Sequence, residues 1–587
     1  MLSVKDTHGW HGGHLQEPQY SADWGDYISF AHHLHRRADQ DGSDLLLIDT
    51  GDRVEGNGLY DASKPKGEYT FDIFKHQDID VITSGNHELY LSNSSENEYH
   101  HTVPNFKQSY IASNLDIQNP NTQELEPLAP RFRKFTTKNQ GIRIVAFGFV
   151  FNFHGNANNT VVQNVQETVK EQWFQDAIRT KDIDLFLVAG HVPVKDSQEY
   201  DLIYDSIRQV RWDIPIVFFG GHTHIRDYRK WEAKAQGIES GRYMETIGFM
   251  SMSGLSTGKK GSVSPAKSAP KYERLYIDNN LYSLHHHSGT NESTFPTEAG
   301  TKVSTAITHA RKELNLDHAF GCAPHDFWLN RAPYPSDSSL LTWLEKQVLP
   351  ATFNSSGSPS IIITNSGALR FDIFKGPFTI DSTFLVSPFT SGFRVAKNIP
   401  YKAATQVLQL LNNEDRILLK DLITTTHNDI DTISQNRLYE LAPPLPPVNA
   451  KSFIAQTPTS QLLFRPDHQT PLAGPSAISH FDKPTVPGYT TVDDLGSDGD
   501  DTIHEAIQFY EVPNCVAASV GFDPADGAAP PETVDLVYNE FVQDWVLLAL
   551  RYLGVKYDKK DTESTLDGKT MTDIISDWVG KHWKCEE

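Results

Sequence analysis

The chain has 587 residues, with 52 Lys and Arg against 75 Asp and Glu for a formal net charge of −23, and is 38% hydrophobic and 11% aromatic. A chain of this length exceeds what one hydrophobic core organises, so about two large domains are expected, and the apolar content excludes disorder as the main state. The charge excludes a protein that coats nucleic acid, which needs a basic surface, and no apolar stretch reaches the ~18–20 residues of a membrane span.

Met1-Leu2-Ser3-Val4-Lys5 reads as a strand stub that runs straight into Asp6-Thr7-His8. It lacks the positive start, apolar core and small-residue cleavage site of a secretory leader, so the expectation is a chain whose leader has been removed. Sequons at Asn93, Asn158, Asn291 and Asn354 are compatible with a secretory route to the cell surface, the exterior or a vacuole. Short apolar runs then recur at Asp44–Ile48, Asp80–Thr83, Ile142–Val150, Asp184–Val188 and Ile214–Phe219, each followed by a turn and a polar or helical stretch. This is the pattern of an α/β layered domain with strands buried on both faces. His32, His33 and His35 fall on an expected helix surface, and His285–Pro296 reads as a loop, its three histidines solvated rather than metal-binding.

Val303, Ile307, Ala310 and Leu314 recur at helical spacing within Glu298–Asn315, which suits a connector. Beyond it, helices are expected at Ser338–Val348 and Ala403–Leu411 and a strand at Ile361–Thr364, while the four prolines of Ala442–Val448 mark an extended loop. Cys322, Cys515 and Cys585 allow at most one internal disulfide. The expected organisation is a first domain over residues 1–297, a linker helix over 298–319 and a second domain over 320–587.

The chemistry lies where the apolar runs of the first half end. Asp6-Thr7-His8, Asp49-Thr50-Gly51-Asp52, Gly85-Asn86-His87-Glu88, Gly190-His191 and Gly220-Gly221-His222-Thr223-His224 each follow such a run. In an open α/β sheet ligands bind outside the carboxyl ends of the strands, so these groups should converge. The residue types fit two divalent metals, Zn, Mn or Fe alike. Asp52 can bridge the pair, with Asp6 and His8 on one ion, Asn86, His191 and His222 on the other, and His224 reaching back from the same strand face as His222. Two such ions would hold a hydroxide for in-line attack on a phosphoryl group, and His87 is left to donate to that group or to the leaving oxygen.

This ordered set resembles the calcineurin-like metallophosphoesterase superfamily. Asn365-Ser366-Gly367-Ala368-Leu369-Arg370, then Gly376 and Ser387-Pro388-Phe389, resemble the carboxy-terminal domain of the 5'-nucleotidases. The resemblance implies a four-layer αββα catalytic domain, a linker helix and an α+β substrate domain that rotates to bring a nucleotide to the metals. It further implies that Arg370 holds the nucleotide, Asn365 bonds its base and Phe389 forms one wall of an aromatic clamp. The implied activity is phosphate release from 5'-nucleotides. Rival readings are a dimetal phosphoesterase for a cyclic nucleotide, nucleotide sugar or dinucleotide, and a nucleotide binder that has lost turnover.

Two positions depart from the family pattern. Tyr90 stands where an Asp often orients the non-ligand histidine, so His87 is either oriented by another group or less effective as an acid. Late in the chain, Gly496-Ser497-Asp498-Gly499 is followed by two aspartates where an aromatic is usual, so either Phe509 or Tyr510 supplies the second wall or base stacking is one-sided and base preference loose. Asp494, Asp498, Gly499 and Glu505 match some positions of a calcium-binding loop, but Gly496 and Asp501 break it, and no calcium site is expected.

Overall fold

Residues with flat or β-branched side chains form the central strands of the first half, whose two faces are both covered. Arg143–Val150 sends Ile144 and Ala146 into one core while Phe147 and Phe149 point to the other side. There Phe147 meets Phe174 of the helix Gln172–Ile178, with ring centroids 5.0 Å apart. Burial on both sides explains why the run reads as continuous rather than alternating hydrophobicity.

The computed structural model describes residues 1–195, 197–255, 269–354, 357–412, 485–486, 503–504, 510, 512–523 and 529–585. They form two compact units. Met1–Glu55 and Ser63–Glu313 supply most of the first, whereas the second takes the short segment Gly56–Ala62 and most of the described residues from Leu314 on. Among the described residues no helix is long and apolar enough to cross a membrane.

The first unit holds a six-stranded sheet in the order Arg226–Glu232, Ala235–Ser240, Ile216–Phe219, Leu185–His191, Arg143–Val150, Phe132–Thr136. Its second sheet has five strands in the order Lys271–Asp278, Thr246–Ser253, Leu2–Val4, Leu47–Asp49, Val81–Ile82. Ile48, Val81, Met250 and Tyr276 of the five-stranded sheet share a core with Ile144, Leu187, Val217 and Phe219 of the six-stranded one. Leu2–Val4, Leu47–Asp49 and Val81–Ile82 are parallel to one another, as are Arg143–Val150, Leu185–His191 and Ile216–Phe219. Within each set, the carboxyl ends therefore open on one side.

Helices cover the outer sides, giving the layered α/β class expected. Trp24–Asp41 starts with a capping box between Asp23 and Asp26 and ends on a left-handed Gly42. The helix Glu298–Glu313 crosses it so closely that a Cβ on Gly25 would lie 2.3 Å from the Gly300 carbonyl oxygen. The expected loop at His285 is instead the last turn of the helix Leu281–Ser288, which Asn280 caps at its start and left-handed Gly289 ends. Loop composition at its flanks hid a short helix whose basic end suits the helix dipole. Of the histidines expected on the surface of Trp24–Asp41, His32 is exposed, but His33 and His35 are half-buried, with His33 Nε2 2.8 Å from the Phe295 carbonyl oxygen.

His11 carries a stability cost in acid. It is buried against Trp24 and Phe74, and neither ring nitrogen has a hydrogen-bond partner among the described residues. Burial, helped by nearby Arg53, pushes its pKa down to about 3. The folded state holds the neutral ring, so its contribution is intact above the unfolded value of ~6.5 and is lost at about 1.4 kcal/mol per pH unit as pH falls toward the folded value. Between pH 7 and pH 5, His11→Leu should therefore gain roughly 2 kcal/mol relative to the parent in urea unfolding. Parallel stability curves for the two proteins would rule this out.

The second unit is built on a five-stranded sheet in the order Cys515–Val520, Ser360–Asn365, Thr533–Asn539, Phe393–Pro400, Glu563–Thr565. Ile361 and Ile363 face the helices Tyr401–Asn412 and Gln543–Tyr552, while Ile362 faces the side packed by Leu340–Trp343 and Met571–His582. Cys322 and Cys585 form a disulfide, which pins the chain's end to the strand Ala319–Ala323, and Cys515 is a buried free thiol. Trp583 stacks on Trp343 beside it, centroids 5.2 Å apart. Ala442–Val448, the residues Asp494, Asp498, Gly499 and Glu505, and Phe509 lie outside the described residues.

Candidate metal centre

The loops that leave the parallel strands carry the chemistry. Asp6 and His8 follow Leu2–Val4, Asp52 follows Leu47–Asp49, Asn86 and His87 follow Val81–Ile82, and His191 ends its own strand. His222 and His224 do not share a strand face as their spacing suggests. They lie in the turn after Ile216–Phe219, with φ of 84° and 62°. Asp6, His8 and Asp52 are also left-handed, at 47°, 46° and 56°. Such a conformation costs a non-glycine residue about 1–3 kcal/mol and is kept where the surroundings over-determine it. Gly51 makes the crowding possible, since a Cβ there would lie 2.1 Å from the Gly85 backbone nitrogen.

Ligand atoms of Asp6, His8, Asp52 and His224 lie within 4.8 Å of one another, and so do those of Asp52, His191 and His222. Asp52 is common to both groups. Its Oδ2 is 3.0 Å from His191 Nε2 and 3.7 Å from His8 Nε2, and its Oδ1 accepts from the His87 backbone N–H at 2.8 Å. His191 Nδ1 donates to the Thr50 carbonyl at 3.0 Å, and His8 Nδ1 faces the Glu55 carbonyl at 2.8 Å, which turns both Nε2 atoms inward, where a bound cation would take their lone pairs in place of a proton. The Nε2 atoms of His8 and His224 are 3.2 Å apart.

Asp6 Oδ1, Asn86 Oδ1 and His191 Nε2 are buried without a hydrogen-bond partner among the described residues. Each stranded acceptor costs about 1–3 kcal/mol, so several converging on one spot call for positive charge between them. Carboxylate, imidazole and amide donors in this arrangement fit a pair of divalent cations.

The titrations follow from the same crowding. Burial opposes the charge on Asp52, yet His191 and His87 hold its carboxyl well below the ordinary range. Burial likewise opposes Asp6, which Lys5, His191 and His224 hold low. Burial would lower His191, but Asp52 and Asp6 raise it to about 9, while burial and then His191 push His222 down to about 3.

Several residues of the site carried no sequence signal. His87 Nδ1 pairs with Glu55 Oε2 at 2.9 Å, a glutamate from the loop after Leu47–Asp49. Tyr90 acts on a different neighbour. Its hydroxyl accepts from Asn86 Nδ2 at 2.9 Å, which turns Asn86 Oδ1 toward the cluster. Lys5 Nζ reaches Asp6 Oδ2 and Glu239 Oε1, both at 2.9 Å. Glu88, already within the motif, accepts from the backbone N–H groups of Gly85 at 2.7 Å and Asp52 at 3.0 Å and so ties two loops together.

In the second unit, Asn365 is buried, and its Oδ1 accepts from Asn539 Nδ2 at 2.6 Å. The Arg370 guanidinium lies over the half-buried Phe389 ring, 5.6 Å from its centroid, and has no ion pair among the described residues. Tyr510 is fixed by its backbone N–H, which donates to the Asn330 carbonyl at 2.7 Å.

Comparison with known proteins bears on this geometry. Residues 6–226 match the family described as calcineurin-like phosphoesterase, and residues 326–547 match one described as NAD nucleotidase, C-terminal domain. An uncharacterized protein of Schizosaccharomyces pombe is 36% identical over 94% of this chain and 84% of its own length. A protein of Arthroderma benhamiae named "Secreted protein" is 33% identical over 97% of this chain and 87% of its own. The crystal structure of a 5'-nucleotidase from Candida albicans superposes with a TM-score of 0.81 at 32% identity, covering 99% of this chain and 97% of that one.

Proposed function

The chain belongs to the calcineurin-like metallophosphoesterases of the 5'-nucleotidase family and is a phosphoric ester hydrolase, and on that basis we propose that it releases phosphate from 5'-nucleotides. The observation that carries the reading is Asp52, shared by two ligand groups in which Asp6 Oδ1 and His191 Nε2 are buried without a hydrogen-bond partner among the described residues. In this reading Asp6, His8, Asp52 and His224 hold one cation, and Asp52, Asn86, His191 and His222 the other. Bound cations of this kind supply charge for the phosphoryl oxygens and a nucleophile drawn from water at neutral pH. His87 exchanges a proton with the phosphoester oxygen. Arg370, with no ion pair among the described residues, is offered to the nucleotide, Phe389 to the face of its base and Asn365 to the base edge, by the family resemblance.

Purified protein loaded with Mn or Zn should release phosphate from AMP, and no release from any monophosphate with both metals bound overturns the reading. The match to the NAD nucleotidase C-terminal domain favours a second substrate class, a dinucleotide. NAD cleaved faster than AMP in the same assay selects it. A binder without turnover loses its main support, because Glu55 supplies the orienting group that Tyr90 does not. We also infer a secretory route, from the exposed Asn93, Asn158, Asn291 and Asn354, the disulfide, and the relative named as secreted. Glycosidase treatment of protein from a secretory host should reduce its mass, and an unchanged mass counts against that route.

A further inference from the structure

We propose that Glu55 is the positioning residue for His87, an inference that rests on the phosphohydrolase reading. The His87 ring is wedged edge-on between two others, with centroids 4.6 Å from His8 and 4.9 Å from Tyr90 and both interplanar angles 89°. Ring packing of this kind fixes the plane of an imidazole but accepts either of its two flips, which exchange a nitrogen with a carbon. The 2.9 Å contact from Nδ1 to Glu55 Oε2 selects one flip. With Nδ1 committed to the carboxylate, the other ring nitrogen is the one that exchanges a proton with the substrate.

Glu55 is built to hold this pose. Its own backbone is left-handed at φ 62°, and the following Gly56 is at 140°. Its carbonyl oxygen lies 2.8 Å from His8 Nδ1, so one residue grips a metal-facing histidine with its main chain and His87 with its side chain. The two grips are separable, since Glu55→Gln changes the side chain and keeps the carbonyl. A glutamine amide fits the same space but has no negative charge to hold the imidazole.

The test compares two leaving groups in the metal-loaded protein. AMP leaves a poor ribose alkoxide that needs a proton, whereas p-nitrophenyl phosphate leaves a phenolate that does not. Glu55→Gln should lower kcat on AMP by roughly 100-fold with KM little changed, and kcat on p-nitrophenyl phosphate by less than about 3-fold. Metal content measured by mass spectrometry should match the parent, and Glu55→Asp should recover part of the AMP rate. Because Glu55 acts through His87, adding Glu55→Gln to His87→Gln should cost nothing further. Equal losses on both substrates, lost metal, or additive losses in the double variant overturn the proposal. A parent protein that cleaves neither substrate sinks the phosphohydrolase reading itself.

Discussion

Asp52→Asn should strip the protein of its bound metal and lower kcat/KM by more than 100-fold. Loss of a group that merely orients a ligand costs a metal site about 10–100-fold, and Asp52 stands closer to the chemistry than that. It is the one side chain common to the Asp6, His8 and His224 group and to the His191 and His222 group. One of its oxygens lies 3.0 Å from His191 Nε2, and the other already accepts from the His87 backbone. Asparagine keeps the shape but removes the anionic charge that a shared ligand provides. Metal content should fall from two ions per chain toward none or one. A chelator should lower the unfolding temperature of the parent but leave that of the variant almost unchanged, since only a protein that binds metal gains stability from it. A variant that retains two ions and the parental rate would refute the assignment of Asp52.

The candidate site is legible in the sequence where metal chemistry would restrict the residue type, and hidden where packing alone decides. Aspartate and histidine behind successive apolar runs are too specific a pattern to be filler, and the parallel strands bring their loops together. The spacing of His222 and His224 misled, because period-two reasoning holds along a strand and these two occupy a left-handed turn. Glu55 could not be picked out, since nothing in Asp52-Arg53-Val54-Glu55 says that the glutamate folds back onto a histidine 32 residues away. Tyr90 looked like a defect and proved to hold Asn86. Glu239 is further still from any local signal, lying on a strand whose pairing with Ile216–Phe219 is set by the whole sheet. In the second half the strand Ser360–Asn365 and the helices beginning at Leu340 and Tyr401 were legible, but the strands Phe393–Pro400, Cys515–Val520 and Thr533–Asn539 and the helices Gln543–Tyr552 and Met571–His582 were not picked out, and the helix Leu281–Ser288 was masked by histidine, serine and glycine around its end.

Lys5→Met should cost about 3–5 kcal/mol of stability in metal-free protein, the usual result of removing one partner from a buried ion pair. Lys5 and Glu239 are fully buried, and the ammonium bridges Asp6 Oδ2 and Glu239 Oε1 at 2.9 Å each. Burial disfavours the lysine charge, yet the two carboxylates raise its pKa above the ordinary value, so it stays an ammonium. Without it, two carboxylates share a dry pocket with no cation between them. Glu239 cannot simply turn away, because its oxygens also accept from the backbone N–H groups of Thr223 at 3.1 Å and Val194 at 3.2 Å. These bonds hold the turn that carries His222 and His224 and the loop after His191. The loss should therefore spread to the metal site, weakening metal binding by about 10–100-fold as for other orienting groups. Lys5→Met with Glu239→Gln removes one of the opposed charges and should recover part of the stability, though not the grip on Asp6. Urea unfolding in chelator reads the first effect and metal titration the second. A Lys5→Met protein as stable as the parent without metal would show that Asp6 and Glu239 do not depend on this ammonium. If it is destabilised but binds metal normally, the pair serves the fold alone. The larger expectation is that both fall together, because the lysine that neutralises Asp6 Oδ2 is also what leaves Asp6 Oδ1 facing the cluster.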